Sequence, residues 1–230
     1  MVLFGIPLDL GPIWLTLQVA TVTTIVLALL GIPLAWRLAR MRSRWRVPLE
    51  ALVSLPLVLP PTVIGFYLII AMNPNGPLTQ FLGLFGFEGQ LTFNFTGLVI
   101  GSVLFSLPFM VHPTLGAFQS LPEDVLDAAR LMRAGWFDRF INVILPLSRQ
   151  GLLVGAVLTF AHTVGEFGVV LMVGGNIAGE TRMVSIAIFD HVESFEYAQA
   201  HLLSAVMVAF SFAVLVAVYL TNRRFSVRVG

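Results

Sequence analysis

Between Ile13 and Trp36 the chain is nearly free of charge and rich in Leu, Val and Thr. That stretch is long enough to cross a bilayer as a helix. In hydrocarbon every backbone amide must be satisfied internally, so whatever lies at that depth is helical or covered by protein. Similar stretches follow at roughly Leu49–Met72, Phe95–Ala117, Gly151–Val173 and Gln199–Thr221. The chain is 57% hydrophobic and 11% charged, with mean hydropathy +0.92. A soluble domain is about half apolar and about a quarter charged. The expected fold class is therefore an all-α integral membrane protein with about five transmembrane helices. An extra N-terminal segment fits MVLFGIPLDL, which is apolar but too short to cross as a helix. Lacking a basic start, it does not read as a cleaved signal peptide.

Charge sets the orientation. All 13 basic residues are Arg. Arg37, Arg40, Arg42, Arg44 and Arg46 crowd the exit of the first span, which marks the cytoplasmic side. A lipid-headgroup anchor there implies the same side. With the N-terminus outside, the loop 120–146 and the tail, with Arg223, Arg224 and Arg228, are also cytoplasmic, and only Arg182 falls outside. A net charge of +1 gives no footprint for a nucleic-acid partner. The absence of Cys excludes disulfides and thiolate metal sites.

The second span holds Pro56, Pro60 and Pro61, followed by Thr62 and Gly65. Proline removes a backbone donor and clashes with the preceding turn, so this helix should be kinked or interrupted. Such breaks are tolerated beside a cavity or under protein cover. Pro60, Pro61, Thr62 and Gly65 are therefore pathway candidates; the alternative is a bent packing helix. Residues 73–94 suggest a loop with a re-entrant or interfacial turn around FLGLFGF, with one charge, Glu88. In the third span His112, near Pro108 and Pro113, reads as a satisfied interface histidine. In the fourth, Thr159, His162, Thr163 and Glu166 recur at helical spacing. Gly165 and Gly168 flank Glu166 and would let another helix approach closely. Ionisable groups at this depth face a partner or water. Thr163, Glu166 and Gly168 are thus gate candidates, with interhelical hydrogen-bonding glue as the other reading. A carboxylate repels anions, so Glu166 is a poor direct contact for an anionic substrate. Residues 174–198 read as an outer loop.

The longest charged stretch is Ser120–Pro146, SLPEDVLDAARLMRAGWFDRFINVILP. Ser120 and Glu123 are spaced as a capping box. Val125, Leu126, Ala129 and Met132 recur at helical spacing, and Asp127 and Arg130 are spaced to pair. Gly135 is placed to end this helix in a left-handed conformation. A second short helix carries Trp136, Phe137, Phe140, Ile141 and Ile144, and Pro146 marks re-entry into the membrane. An amphipathic helix lying on the membrane surface is the plain alternative.

Asp127-Ala128-Ala129, followed by Val143-x-Leu145-Pro146, resembles the Glu-Ala-Ala loop of permease subunits of ABC importers. The Ala-Ala pair, the Leu-Pro and the spacing match. Asp127 stands for Glu, Val143 for Ile, and Arg133 for a glycine, with Gly135 two residues later as the candidate for the turn. The resemblance implies an ABC importer permease fold: residues 1–230 form one transmembrane domain, with 120–146 a coupling loop bearing cytoplasmic coupling helices. Its contacts to the ATPase would be Glu123, Asp127, Ala128, Ala129, Arg130, Gly135, Leu145 and Pro146. It also implies a homodimer of permease chains, two ATP-binding cassette subunits and an external oxyanion-binding protein. No Gly-x-x-x-x-Gly-Lys-Ser/Thr loop is present, so ATP and Mg are expected on the partner ATPases, with no cofactor or metal in this chain and no catalysis by it.

The run Gly165-Glu166-Phe167-Gly168, with Gly175-Asn176-Ile177 and Gly179-Glu180-Thr181-Arg182, resembles the molybdate, tungstate and sulfate branch of these permeases. The stretch from Val184 to Ala198 looks most like molybdate permeases. Tungstate and sulfate stay open. The rival classes are a stand-alone channel or secondary transporter, for which no inverted repeat is evident, and an intramembrane hydrolase, for which no His-Glu-x-x-His or Gly-x-Ser-Gly is present.

Overall fold

The computed structural model describes residues 2–3, 6–7, 9–86, 89–131 and 135–225; of 2, 3, 6, 7, 130 and 217–225 it describes the backbone alone. Glu88, Met132, Arg133 and Arg228 therefore lie outside the described residues, as do the side chains of Arg130, Arg223 and Arg224.

A two-residue hairpin, β1 (Val2–Leu3) paired with β2 (Ile6–Pro7), precedes the helices. Then come α1 (Gly11–Arg40), α2 (Arg46–Val58), α3 (Pro61–Met72), α4 (Pro77–Gly83), α5 (Phe95–Gln119), α6 (Glu123–Leu131), α7 (Trp136–Arg139), a π-turn (Phe140–Ile144), α8 (Leu145–Val164), α9 (Gly168–Gly174), α10 (Val184–Glu193) and α11 (Tyr197–Phe225). Among the described residues, four helical stretches are long and apolar enough to cross a membrane, and a fifth arises if α2 and α3 count as one span bent by 111°. The bend falls at Leu59-Pro60-Pro61, where the prolines call for it.

Helix α5 is the centre, packed by α1, α8, α2 and α9. Close approach at small residues holds these pairs together. A Cβ on Gly31 of α1 would stand 3.0 Å from Met110 of α5, and one on Gly151 of α8 would stand 2.3 Å from the Ala117 side chain. In lipid, where apolar burial gives helices no preference for one another, such backbone proximity is a main source of association. Buried polar pairs add to it. Ser54 and His112 share a hydrogen bond of 2.9 Å between α2 and α5, the satisfied interface role expected of His112. The hydroxyl of Thr16 in α1 accepts from the amide of Val184 at 2.9 Å, which docks the start of α10.

Several expectations are corrected. The fourth span does not run from Gly151 to Val173. Its helix starts at Trp136 and stops at Val164, and Pro146 is a first-turn residue of α8, not a point of re-entry. The π-turn carries the helix past the proline: the Leu145 amide bonds Phe140, and the widened turn accommodates the ring without a break. The second helix of the loop is thus one rod with the fourth span. The outer loop contains α10, because Val184 and Ala187 bury against Leu202 and Leu203 of α11. Ser120 makes no capping box. It ends α5, and its hydroxyl donates to the Ala117 carbonyl at 2.9 Å. Gly135 is extended rather than left-handed (φ −60°, ψ 161°), because it precedes α7 as its N-cap.

Gly151→Val is expected to lower stability by about 1–3 kcal/mol, since the α5 backbone behind Ala117 cannot yield. Gly116→Ala, where a Cβ meets nothing within 4 Å, should be nearly neutral. Thermal unfolding in detergent reads both. Equal midpoints would contradict the tight α5–α8 contact.

Candidate functional site

Two places depart from simple helix packing: the α6–α7 element at one end of the bundle, and the junction of the two breaks.

In α6 the residues at positions 126 and 129 turn inward. Leu126 joins a buried cluster with Leu38, Phe118 and Ile144, and Ala129 is 8% exposed. Glu123, Asp127 and Ala128 are exposed, and Leu131 is 84% exposed. Across the gap, Gly135 is exposed, and Phe137 beside it is 69% exposed. Trp136 stacks on Phe140 at 5.4 Å, and Trp36 meets Phe140 at 6.0 Å and Phe118 at 5.2 Å, so aromatic contacts tie α7 to α1 and α5. Leu145 is half-buried and Pro146 exposed where α8 begins. The outcome is an element anchored on its inner face, with an outer apolar edge of Val125, Ala128, Leu131 and Phe137 beside the carboxylates of Glu123, Asp124 and Asp127. Of the expected coupling residues, Ala129 alone is well buried within its own chain; Arg130 is described as backbone only.

The second place joins the break at Pro60-Pro61 to the break between α8 and α9. A Cβ on Gly168 would stand 2.8 Å from the Cβ of Pro61; one on Gly65 would stand 2.6 Å from the Cβ of Met172. Pro61, Gly65 and Gly168 are thereby brought together, with Pro60 and Thr62 exposed beside them. Gly168 gives the close approach expected of it. Gly165 does not: its nearest neighbours are carbonyls of its own helix at 3.8 Å.

Glu166 lies in the break, past the end of α8, so it does not continue the face of Thr159 and Thr163. It is 3% exposed, and neither carboxylate oxygen has a hydrogen-bond partner among the described residues. The Ser102 hydroxyl of α5 faces it without completing a bond. Its backbone carbonyl accepts from Ser185 of α10 at 2.5 Å. Thr163 is fully enclosed. Its hydroxyl donates to the Thr159 carbonyl at 2.9 Å and shares a bond with Ser106 of α5 at 2.9 Å. Ser106 also bonds His162, whose ring stacks on Phe109 at 4.0 Å. Thr163 and His162 thus belong to the α5–α8 contact, apart from the exposed Thr62. Sequence reasoning missed Ser102, Ser106 and Met172. The two serines, four residues apart in an apolar helix, were the available signal for a polar face on α5.

At the other end of α9, Gly175 (φ +71°) and Gly179 (φ +81°) turn the chain back on itself. Arg182 donates to Asn176 at 2.6 Å and lies 3.4 Å from Asp190. This folded turn accounts for the Gly-Asn-Ile and Thr-Arg residues as a scaffold. Among the described residues no group of His, Asp and Glu could hold a metal ion.

Comparison with known proteins follows the same lines. Residues 15–228 match the model of a family described as the inner membrane component of binding-protein-dependent transport systems. The chain is 56% identical to the molybdenum transport system permease protein of Azotobacter vinelandii, over 94% of this chain and 95% of that one. It is 33% identical to the sulfate transport system permease protein of Salmonella typhimurium, over 93% of this chain and 76% of that one. Among solved structures, a bacterial ABC transporter that imports the acidic polysaccharide alginate matches with TM-score 0.74 at 15% identity, over 95% of this chain and 80% of that one. The inward-facing MetNI methionine ABC transporter matches with TM-score 0.70 at 17% identity, over 93% and 94%. At these identities the structural likeness concerns the fold.

Gly168→Ala is expected to cost about 1–3 kcal/mol, because the Pro61 ring is fixed to the backbone and cannot swing aside. Gly165→Ala should stay within about 0.5 kcal/mol. Unfolding midpoints of the purified variants test this; a harmless Gly168→Ala would mean that α3 and α9 are not locked together.

Proposed function

The chain belongs to the family of inner membrane components of binding-protein-dependent transport systems, and on that premise we propose that it is the permease subunit of an ATP-driven importer of molybdate. It is a multi-pass protein of the inner membrane. The observation that carries the substrate is the end-to-end identity with the molybdenum permease; the sulfate permeases are more distant and longer. Tungstate is kept as the alternative, since the two oxyanions are nearly alike in size and charge.

The division of labour follows from the chemistry. An external binding protein selects the dianion. Two permease chains enclose the passage, and a pair of ATPase subunits holds ATP and Mg. The outer edge of α6 and α7 supports this reading: Val125, Ala128, Leu131 and Phe137 are uncovered by their own chain and suit a groove on a partner. Glu123, Asp127, Ala128, Gly135 and Pro146 are placed to be touched. Ala129 and Leu145 hold the element to its own bundle. The N-terminus is read as outside and the tail as cytoplasmic, from the Arg distribution.

Passage is alternating access, with closure of the ATPases moving the α6–α7 element and, through α8, the break at Gly165–Phe167. Glu166 sits in that break with neither oxygen bonded, which speaks against simple interhelical glue and for a gate element. The exposed start of α3, which Pro60 and Pro61 set and where Thr62 carries an amide and a hydroxyl, offers weak dipolar contact to a dianion beside it, consistent with an ion that must not be retained.

Three outcomes are expected of the reconstituted transporter. Molybdate with its binding protein raises ATPase activity and sulfate does so far less; stimulation by sulfate alone would overturn the substrate. Ala128→Asp or Leu131→Asp abolishes co-purification of the ATPase while the chain still inserts. Ala129→Asp, by contrast, damages the chain's own packing, since that side chain is buried. Glu166→Gln, which removes the charge and keeps the shape, should leave assembly intact and lower molybdate uptake by on the order of tenfold. Unchanged uptake would remove Glu166 from the gate.

A further inference from the structure

A cavity of about 570 Å³ opens between the end of α1 and the α6–α7 element, on the side of that element away from its exposed apolar edge residues Val125, Ala128, Leu131 and Phe137, none of which lines it. Its wall carries Arg40, Arg42, Arg46 and Arg139, with Glu123 and Asp127 opposite. Arg46 is compensated by Glu50, whose carboxylate accepts from its Nε at 2.7 Å. The other three have no ion pair among the described residues. Arg40 lies over the Trp36 ring at 4.8 Å, and its Nε is enclosed without a hydrogen-bond partner. Three arginines that line one cavity without a carboxylate partner, one of them with an enclosed and unpartnered Nε, call for an acceptor with several oxygens. A tetrahedral phosphate-type group meets this better than a planar carboxylate.

The surroundings indicate where that group comes from. The cavity adjoins the end of a membrane-spanning helix; the exposed Trp136 lines it, and the exposed Trp45 lies in the α1–α2 turn next to Arg46. Indole rings beside Arg are what a headgroup region selects. We propose that this groove binds a phosphate-type oxyanion, supplied by the headgroup of an anionic phospholipid in the adjoining leaflet. The site takes the lipid as a ligand wedged between the α1–α2 turn and α7, so that membrane composition bears on the element that meets the ATPase. It rests on the chain spanning a membrane and does not depend on which anion is transported.

The experiment uses the full-length chain in phosphatidylcholine nanodiscs with graded phosphatidylglycerol, with retained lipid counted by native mass spectrometry. Arg42→Gln with Arg139→Gln should weaken retention of phosphatidylglycerol about a hundredfold, and Arg42→Gln alone about tenfold, at the usual contribution of one hydrogen bond to a charged group. Arg40 is kept in these variants because it packs on Trp36. Arg44→Gln is the control, an exposed arginine of the same turn that does not line the cavity; it should change retention by less than about twofold. An Arg44→Gln loss equal to that of Arg42→Gln, or no loss in either, overturns the proposal, since charge on the surface at large would then suffice or be irrelevant. In a second arm, inorganic phosphate is titrated into discs of phosphatidylcholine alone. Binding there that Arg42→Gln and Arg139→Gln abolish, with no preference for phosphatidylglycerol in the first arm, would overturn the lipid as the source and assign the groove to a free anion. Unfolding midpoints within a few degrees of the unsubstituted chain separate loss of the site from loss of the fold.

Discussion

The contact of Gly168 with Pro61, together with Gly65 against Met172, is what the rest of the structure depends on. A helix that stops inside a bilayer leaves amides and carbonyls that hydrocarbon cannot satisfy. Here the helices stop at two places, after Val58 and after Val164. The two breaks meet where Gly168 approaches Pro61, and α5 backs the second, with Gly101 against Val169. Neither interruption would be tolerable alone against lipid. The small residues are therefore not a loosening of the bundle. They are the condition under which a backbone with breaks can exist at that depth.

The same economy governs the far end of the bundle. Helix α6 has apolar residues in two directions, Leu126 and Ala129 inward and Val125, Ala128 and Leu131 outward. Leu126 ties the element to Phe118 and Ile144, so its inner face is part of the core while its outer edge is left uncovered by this chain.

How far the sequence discloses this varies residue by residue. The break at Pro60-Pro61 is legible because proline cannot supply the amide the helix needs. The break after Val164 is not. Gly165 and Gly168 can serve either as packing positions or as a stop, and a span carried on to Val173 has the length a bilayer asks for. Which face of α6 turns inward is equally hidden, since Ala128 and Ala129 are the same residue type and only the neighbours choose between them. Pro146 misleads for a related reason: a proline normally marks an end, and the π-turn that absorbs it has no sequence sign. The bond from Ser106 to His162 joins residues far apart in the chain, so spacing along either helix is silent about it. The Asp127-Ala128-Ala129 and Leu145-Pro146 residues are different. Their types and spacing can be read directly, although burial within this chain accounts only for Ala129 and in part for Leu145.

The continuous helix from Trp136 to Val164 has a geometric consequence. Its 29 residues make a rod of about 44 Å at the usual rise, while the hydrocarbon layer is about 30 Å thick. Roughly a third of its length therefore stands clear of the hydrocarbon, like an oar projecting from its rowlock. A tilt of about 10° about one end carries the other through about 8 Å, and because Gly151 and Gly155 lie tight against α5, such a tilt has to carry α5 with it.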